Sequence, residues 1–333
     1  MDTVKLTLTK QPELYIEAEH ISPDHFAGKT AQQIADLHIH IGNETFKIGD
    51  YFSVEGKAGQ TAADTKIVIS GQTDKVKYIG MKMTAGEIEV LGNTDMYTGA
   101  WMAGGKLYVK GSVDSFCALG MTGGEFIVDG NAKNYLGASY RGDWRGMQGG
   151  KITVKGNAGS DTATFMVGGT IDIGGNVDVH LATHAEGGTI IVRGNAKGRV
   201  GGQMVKGDIY VLGEVERMMP TYILKGDEEL EFEGKKQMFQ VWIGDMGERH
   251  GKKKGEIIWG KILIPSDKPA PGAAAARPER KKKLSDKQVE QVKDAFKDVE
   301  DPSVQQVRTY IFDNFDIDMK AMQVSRLIEN LKR

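Results

Sequence analysis

Hydrophobic and polar residues alternate in a short phrase that returns along most of the chain. It reads MTAGEIEVLGN from Met83, MAGGKLYVKGS from Met102, MTGGEFIVDGN from Met121 and MQGGKITVKGN from Met147. It continues as MVGGTIDIGGN from Met166, AEGGTIIVRGN from Ala185 and MVKGDIYVLGE from Met204, and a degenerate copy, AADTKIVISGQ, begins at Ala62. Within each copy the apolar positions fall two apart, as in Ile88/Val90, Leu107/Val109, Phe126/Val128, Ile152/Val154, Ile171/Ile173, Ile190/Val192 and Ile209/Val211. Charged residues stand between and beside them. A period of two with one apolar face predicts a half-buried strand. A glycine ends each strand, from Gly71 to Gly213, and Asn follows it in five of the eight copies. Both residues tolerate left-handed backbone angles, so the pair is expected to turn a corner.

The copies start 21, 19, 19, 26, 19, 19 and 19 residues apart. The 26 is 19 plus the seven residues 140–146, YRGDWRG. A fixed short period marks a solenoid. Seven positions after the strand-ending glycine a second small residue recurs: Gly99, Ala118, Gly137, Ala163, Ala182 and Gly201. Three breaks in 19 residues leave no room for a strand plus a helix, and predict three short strand-like sides per turn. The fold class is therefore all-β: a right-handed parallel β-helix of about eight coils, with a non-repeating N-terminal cap and a small α-helical C-terminal extension. Coils rise by about 4.8 Å, giving a rod roughly 40 Å long. The column Met83, Met102, Met121, Met147, Met166 and Met204 is expected to be an internal stack, because a soft-metal site needs ligands converging on one point.

The flanks do not repeat. Residues 1–61 read as a cap: KLTLT and LYIEAE as strands, FAGKTAQQIADL as a short helix starting near Thr30, and LHIHIGNETFKIGDYFSVEG as a hairpin turning near Gly42 and Asn43. The repeats occupy 62–222. Residues 223–264 supply closing strands, and 265–284 form a Pro/Ala/Lys linker. Residues 285–333 switch to helical periodicity: Ser285 caps a first helix bearing Val289, Val292 and Phe296 on one face. Pro302 opens a second with Val307 and Ile311, and Val324, Leu327, Ile328 and Leu331 mark a third. Fifty residues make a marginal core, which suggests a docking module.

Composition adds limits. The corners account for the 44 glycines among 333 residues without low complexity. A net charge of −2 offers no general attraction to nucleic acid or membrane. The single cysteine, Cys117, excludes an internal disulfide and an all-cysteine iron–sulfur cluster held by one chain. Without a signal peptide or long apolar run, a cytoplasmic protein is expected. No catalytic, cofactor-binding or metal-ligating set is expected on this chain. His180 and His184 have the spacing of a helical metal pair, but fall on a β-coil. His38 and His40 face one side of a cap strand. The GGN glycines lack a phosphate-binding strand–loop–helix context, and the basic runs at 252–254 and 280–283 lack interleaved aromatics. What stands out is the insertion. Tyr140, Arg141, Asp143, Trp144 and Arg145 are residue types that anchor protein interfaces. The alternative is a self-contained loop closed by Arg–Asp pairing.

The repeated GG-x-[IFL]-x-[IV]-x-G-N phrase, with GASYRGDWRGMQGG in its midst, resembles the C-terminal β-helix of glutamate synthase, the GXGXG family. The lead LTLTKQPELYIEAEHISPDHFAGKTAQQIADLHIHIGNETFKIGDYFSVEG makes residues 4–264 similar to the C-subunit family of formylmethanofuran dehydrogenase. That resemblance implies a right-handed β-helix without an active site or cofactor of its own. It implies a scaffold in an oxidoreductase complex that fixes CO2 onto methanofuran in methanogenic archaea. The implied partners are metal-pterin subunits carrying tungsten or molybdenum, iron–sulfur subunits, and an amidohydrolase-like subunit with its own metal site. The tail beyond about Pro265 departs from the family pattern, and an additional electron-delivering partner bound through 285–333 is the expectation there. Two other assemblies stay open. One is the formyltransferase/hydrolase complex of methylotrophs; the other is a stand-alone glutamate synthase GXGXG subunit with FMN and iron–sulfur partners, which the N-terminal lead counts against. An independent β-helix enzyme would need carboxylates clustered on one face, whereas Glu89 and Asp172 are scattered.

Overall fold

A computed structural model describes residues 1–246, 258–272, 284–297, 299, 302–315, 317, 324–325 and 327–329. The chain forms two compact units, Met1–Gly272 and Ala273–Arg333.

In the first unit the predicted strands form one side of a stack. Thr65–Ser70, Glu87–Val90, Lys106–Val109, Glu125–Val128, Lys151–Val154, Thr170–Ile173, Glu186–Val192 and Lys206–Val211 lie parallel in one sheet. Equivalent residues sit side by side: Leu107 beside Phe126, Phe126 beside Ile152, Ile152 beside Ile171. The columns through Ile88 and Val90 point inward and are at most 2% exposed along their length, so each strand's apolar face is covered only because its neighbours share its register. The methionine column is likewise buried. From Met83 to Met166 each thioether methyl packs beneath a glycine of the following coil, as Met147 does beneath Gly169, where a Cβ would stand 2.6 Å from Cε.

The second side is thinner than a strand. It is a line of single parallel bridges joining Thr94, Val113, Ala132, Ala158, Val177, Ala196 and Val215. At the corner leading to it, the Asn side chains form a ladder: Asn131 Oδ1 accepts from the Asn157 N–H, Asn157 Oδ1 from Asn176, and Asn176 Oδ1 from Asn195, each at 2.8 Å. This corrects the expected role of the Gly–Asn pair. From Gly92 to Gly213 the corner glycines do not adopt positive φ. From Gly111 on they are small because the ladder passes through the place a Cβ would take; at Gly175 that atom would lie 2.4 Å from Asn157 Oδ1.

The third side corrects the expectation of three strand-like sides. It consists of successive tight turns, such as Ala100 N–H to Tyr97 O and Met102 N–H to Gly99 O. Left-handed residues recur at alternate positions: Tyr97, Gly99 and Trp101 in one coil, Asp161, Ala163 and Phe165 in another. Their N–H groups point alternately along the rod, Tyr97 to Ser115 O in the next coil, Gly99 to Ile79 O in the previous one and Trp101 to Leu119 O in the next. Among the described residues, fifteen of the sixteen non-glycine residues with positive φ lie on this side. The strain belongs to the architecture, not to one locus. It also explains the small-residue column, since a Cβ on Gly99 would stand 2.9 Å from the Phe126 ring in the core.

Both ends are covered. Asp2–Leu8 extends the main sheet in parallel beside Thr65–Ser70, and Phe52–Gly56 pairs antiparallel with its far edge. The cap hairpin is therefore shorter than the sequence suggests: only His38–Ile41 and Glu44–Lys47 form it, turning at Gly42 and Asn43. Ile16–Glu17 joins it to Val76–Lys77 of the first coil. Thr30 caps the helix Ala31–Ala35 through a capping box with Gln33, and a one-turn helix, Pro23–Phe26, precedes it. At the other end Gly260–Pro265 adds a parallel strand beside Lys206–Val211, and the hairpin Ile223–Phe232/Lys235–Gly244 pairs antiparallel with it. Tyr222 plugs the last coil, its hydroxyl donating to Gly201 O at 3.1 Å.

In the second unit, Ser285 caps Asp286–Phe296 by a capping box with Gln288, and Ser303 caps Val304–Phe315 through Gln306. Residues 324–325 and 327–329 are helical; Leu331 lies outside the described residues. Val292, Val307, Ile311, Ile317, Val324 and Ile328 form a core cluster of their own.

Two measurements check this description of the stack. Gly175→Ala is expected to lower the urea midpoint, and Asn157→Ala to cost about 1 kcal/mol by orphaning the Asn176 N–H. Combined, they are expected to cost less than their sum, because Asn157→Ala removes one of the atoms the new methyl strikes; additive losses would contradict the ladder. On the strand side, Glu89 lies between Lys110 at 2.7 Å and Lys66 at 3.1 Å, and Asp129 takes Lys155 at 2.6 Å and the Tyr108 hydroxyl. Hydrogen bonds from Lys110 and Lys66 hold Glu89 below the usual carboxylate range, and those from Lys155 and Tyr108 do the same for Asp129. A carboxylate with a depressed folded pKa stabilises the fold above its unfolded pKa, and that contribution disappears as pH falls through the folded value. The urea midpoint is therefore expected to drop between about pH 6 and about pH 3, and to drop less in Lys110→Met/Lys155→Met.

Candidate functional site

The third side carries an outward-facing apolar assembly. Its first left-handed position holds Tyr78, Tyr97, Phe116 and Tyr135 in four successive coils. Their rings stack at 4.9, 5.2 and 4.7 Å with interplanar angles of 10°, 11° and 3°. Aromatic stacking of this kind contributes about 0.5–1.5 kcal/mol per pair and offsets part of the cost of the backbone. A second row carries Lys82 and Trp101, then Gly120, whose missing side chain leaves room for the Trp101 ring. Between the rows Ala100, Leu119 and Ala138 form a small buried cluster under Tyr97, Trp101, Phe116 and Tyr135. Burial pushes the Tyr78 hydroxyl up to about 12 and raises Tyr97 as well.

The insertion leaves the rod where the second row would continue. Ser139 N–H donates to Thr164 O at 3.1 Å, and Gly146 N–H to Phe165 O at 2.7 Å, so both loop ends are anchored to the next coil. A turn closed by Asp143 N–H to Tyr140 O at 2.9 Å, with Gly142 at φ 86°, folds the loop back over the third side. The Tyr140 ring comes to 5.7 Å from Trp101, and Trp144 to 6.4 Å from Phe165. Trp144 nevertheless stays 78% exposed. A cavity of about 350 Å³ opens between Trp101, Gly120, Asp143, Trp144, Arg145 and Gln148. All five residues singled out in the sequence thus share one exposed loop. Among the described residues, Arg141, Asp143 and Arg145 form no ion pair with each other or with any neighbour, so the self-pairing alternative does not hold.

The histidines are engaged separately. His180 and His184 owe their spacing to two left-handed turn positions of one coil. His180 Nδ1 lies 3.5 Å from Asp161 and its Nε2 3.4 Å from Arg199, beside a second cavity of about 480 Å³. His184 stacks on Phe165 at 4.6 Å. His38 and His40 lie on the cap hairpin, where His40 Nδ1 meets the Thr45 hydroxyl at 3.2 Å. Among the described residues no group of three or more His, Cys, Asp or Glu could hold a metal ion. Cys117 is buried in the core, and burial pushes its thiol pKa up. Among the described residues no helix is long and apolar enough to cross a membrane. The basic runs at 252–254 and 280–283 lie outside the described residues. Sequence inspection missed the aromatic ladder and Trp101, although aromatics recurring at positions 78, 97, 116 and 135, in step with the repeat, were a visible signal.

No protein-family model matches the chain. Over 97 residues, 29% of this chain and 36% of the relative, it is 48% identical to the C subunit of the tungsten-containing formylmethanofuran dehydrogenase 2 of Methanothermobacter thermautotrophicus. Over 146 residues, 44% of this chain and 53% of the relative, it is 53% identical to the corresponding C subunit of the tungsten-containing enzyme of Methanococcus maripaludis. The C subunit of the molybdenum-containing formylmethanofuran dehydrogenase 1 of Methanosarcina barkeri is 39% identical over 97 residues, 29% of this chain and 32% of the relative. The matched stretches thus span about a third to a half of these relatives' lengths. Among solved structures, a chain of the formyltransferase/hydrolase complex from Methylorubrum extorquens, crystallised with methylofuran, superposes with a TM-score of 0.68. It covers 79% of this chain and 99% of that one; at 22% identity the likeness establishes a shared fold. By sequence, the chain is similar to the C subunits of formylmethanofuran dehydrogenases over these stretches, in line with the resemblance read from its sequence.

Proposed function

We propose that this chain is a non-catalytic structural subunit of a cytoplasmic formylmethanofuran dehydrogenase complex. Its first unit is a right-handed β-helix of about eight coils, the hand that parallel crossovers overwhelmingly take. It holds metal-pterin and amidohydrolase-like subunits in register, while tungsten or molybdenum pterin, iron–sulfur clusters and the amidohydrolase-type metal reside in those partners. The observation that carries this is the 53% identity over 146 residues to the C subunit of a formylmethanofuran dehydrogenase. The geometry supports it: the rod's interior is filled by buried side chains, and an exposed tryptophan with unpaired arginines stands on one loop. The likeness to the methylotroph formyltransferase/hydrolase chain keeps that assembly as a second reading, since the two enzymes would differ in metal-pterin partners and not in this fold.

Tyr140, Arg141, Asp143, Trp144 and Arg145 form the contact with a neighbouring subunit. Purification through a tag on this chain is expected to bring down an amidohydrolase-like subunit together with tungsten or molybdenum. The amidohydrolase-like subunit without either metal would favour the methylotroph assembly, and FMN-containing partners would move the chain to glutamate synthase. Trp144→Ala/Arg145→Ala is expected to leave thermal unfolding unchanged and to weaken assembly roughly ten-fold or more, as loss of interface anchors does. Unchanged assembly would refute the assignment of the loop.

The separate core of the second unit supports a further role, recruitment of an electron-delivering partner through residues 285–333. Truncation after Gly272 is expected to leave the complex assembled and to slow its reduction by the physiological donor; normal electron supply would end that role.

A further inference from the structure

Ion pairing is uneven over the rod: strand-side Lys151, Lys206 and Lys261 have no ion-pair partner among the described residues, but most cations of that side do. On the strand side Lys66, Lys110 and Lys155 are held by Glu89 and Asp129 of neighbouring coils, and Arg193 by Asp172 and Glu233. Around the second side Lys133 and Lys197 are held by Asp114 and Asp178. The aromatic half of the third side is arranged differently. Among the described residues Arg141 and Arg145 have no ion-pair partner, and Lys82 has only the face of Trp101, 6.0 Å from its ammonium. Asp143 is the single acid of the loop and is unpaired as well. Three cations therefore stand beside a partly dehydrated aromatic surface with Asp143 among them, while Glu17 and Glu19 lie near its Tyr78 end. Guanidinium groups in such surroundings gain most from bidentate carboxylate partners.

Resting on the structural role proposed above, we infer that the aromatic half of the third side receives an acidic segment of a different polypeptide. Its carboxylates meet Arg141, Arg145 and Lys82, and an apolar side chain beside them enters the cavity between Trp101 and Trp144. Other occupants fit less well. Nucleic acid would need free ring faces for base stacking, but the faces of Tyr97 and Phe116 are already taken by their neighbours in the ladder. A second copy related by a two-fold axis would bring the same loop, with two arginines to one aspartate, against itself.

The test uses the full chain in its assembled complex. A photo-crosslinking benzoylphenylalanine replaces Tyr140, and the adduct is mapped by mass spectrometry. The expected adduct lies in another polypeptide, in a peptide where Asp and Glu outnumber Lys and Arg. Arg141→Glu/Arg145→Glu is expected to capture at least about ten-fold less of that polypeptide at low salt. Arg141→Gln/Arg145→Gln, which adds no repulsive charge, is expected to weaken capture less and to flatten its salt dependence. Thermal unfolding of both variants serves as the control on folding. An adduct to a second copy, to nucleic acid or to a basic peptide, or no adduct, would overturn the inference, as would salt-dependent capture unchanged by either variant. If the unmodified chain captures no other polypeptide, the structural role falls and this inference with it. Capture of metal-pterin and amidohydrolase-like subunits that ignores both variants sinks the acidic partner alone.

Discussion

The fold depends on the register between coils. A strand of four residues such as Glu125–Val128 has almost no stability by itself, and its two inward side chains cannot cover one another. They become buried because Leu107 and Ile152 stand at the same height on either side. The same register aligns the Asn ladder, the methionine–glycine contacts and the third-side hydrogen bonds, each joining equivalent points of successive coils. A substitution in such a stack is felt one coil away. Gly175 is a glycine because of Asn157, not because of its own backbone angles.

That constraint also explains the placement of the insertion. Most corners are committed twice, donating to the coil before and accepting from the coil after, and extra residues there would break the ladder. The loop solves this by leaving and returning through hydrogen bonds to one coil, at Thr164 and Phe165. The left-handed turns face the core at their middle left-handed position and push side chains outward at the first and third. A run of aromatic residues at those positions makes a surface that stacks along the rod while its edges face out. The proposed contact surface thus lies on the side whose backbone is strained and where Arg141 and Arg145 have no ion-pair partner among the described residues.

Much of this was legible in the sequence. The period located the strands, the inward columns and the methionine stack, and the capping residues Thr30 and Ser285 were readable from local chemistry. Three features were not. The corner glycines read as points of local backbone freedom because the atom that excludes a side chain sits one repeat earlier in the chain, on Asn157 for Gly175. The third side reads as strand-like because Tyr, Trp, Phe, Asp, His and Arg give no hint of positive φ; only the small residues between them do. Whether Arg141 and Arg145 pair with Asp143 is a matter of loop geometry that composition leaves open. The loop itself is conspicuous as a break in a strict period, but the aromatic surface beneath it is not.

The central claim is that the third side is where this chain meets another protein. An electron-microscopy structure of the native complex, purified through this chain, tests it most directly. The expected result is Trp144, Arg141 and Arg145 buried against a different polypeptide, with carboxylates opposite the guanidinium groups. A complex in which the strand side or the second side makes the contact, leaving Trp144 in solvent, would contradict it.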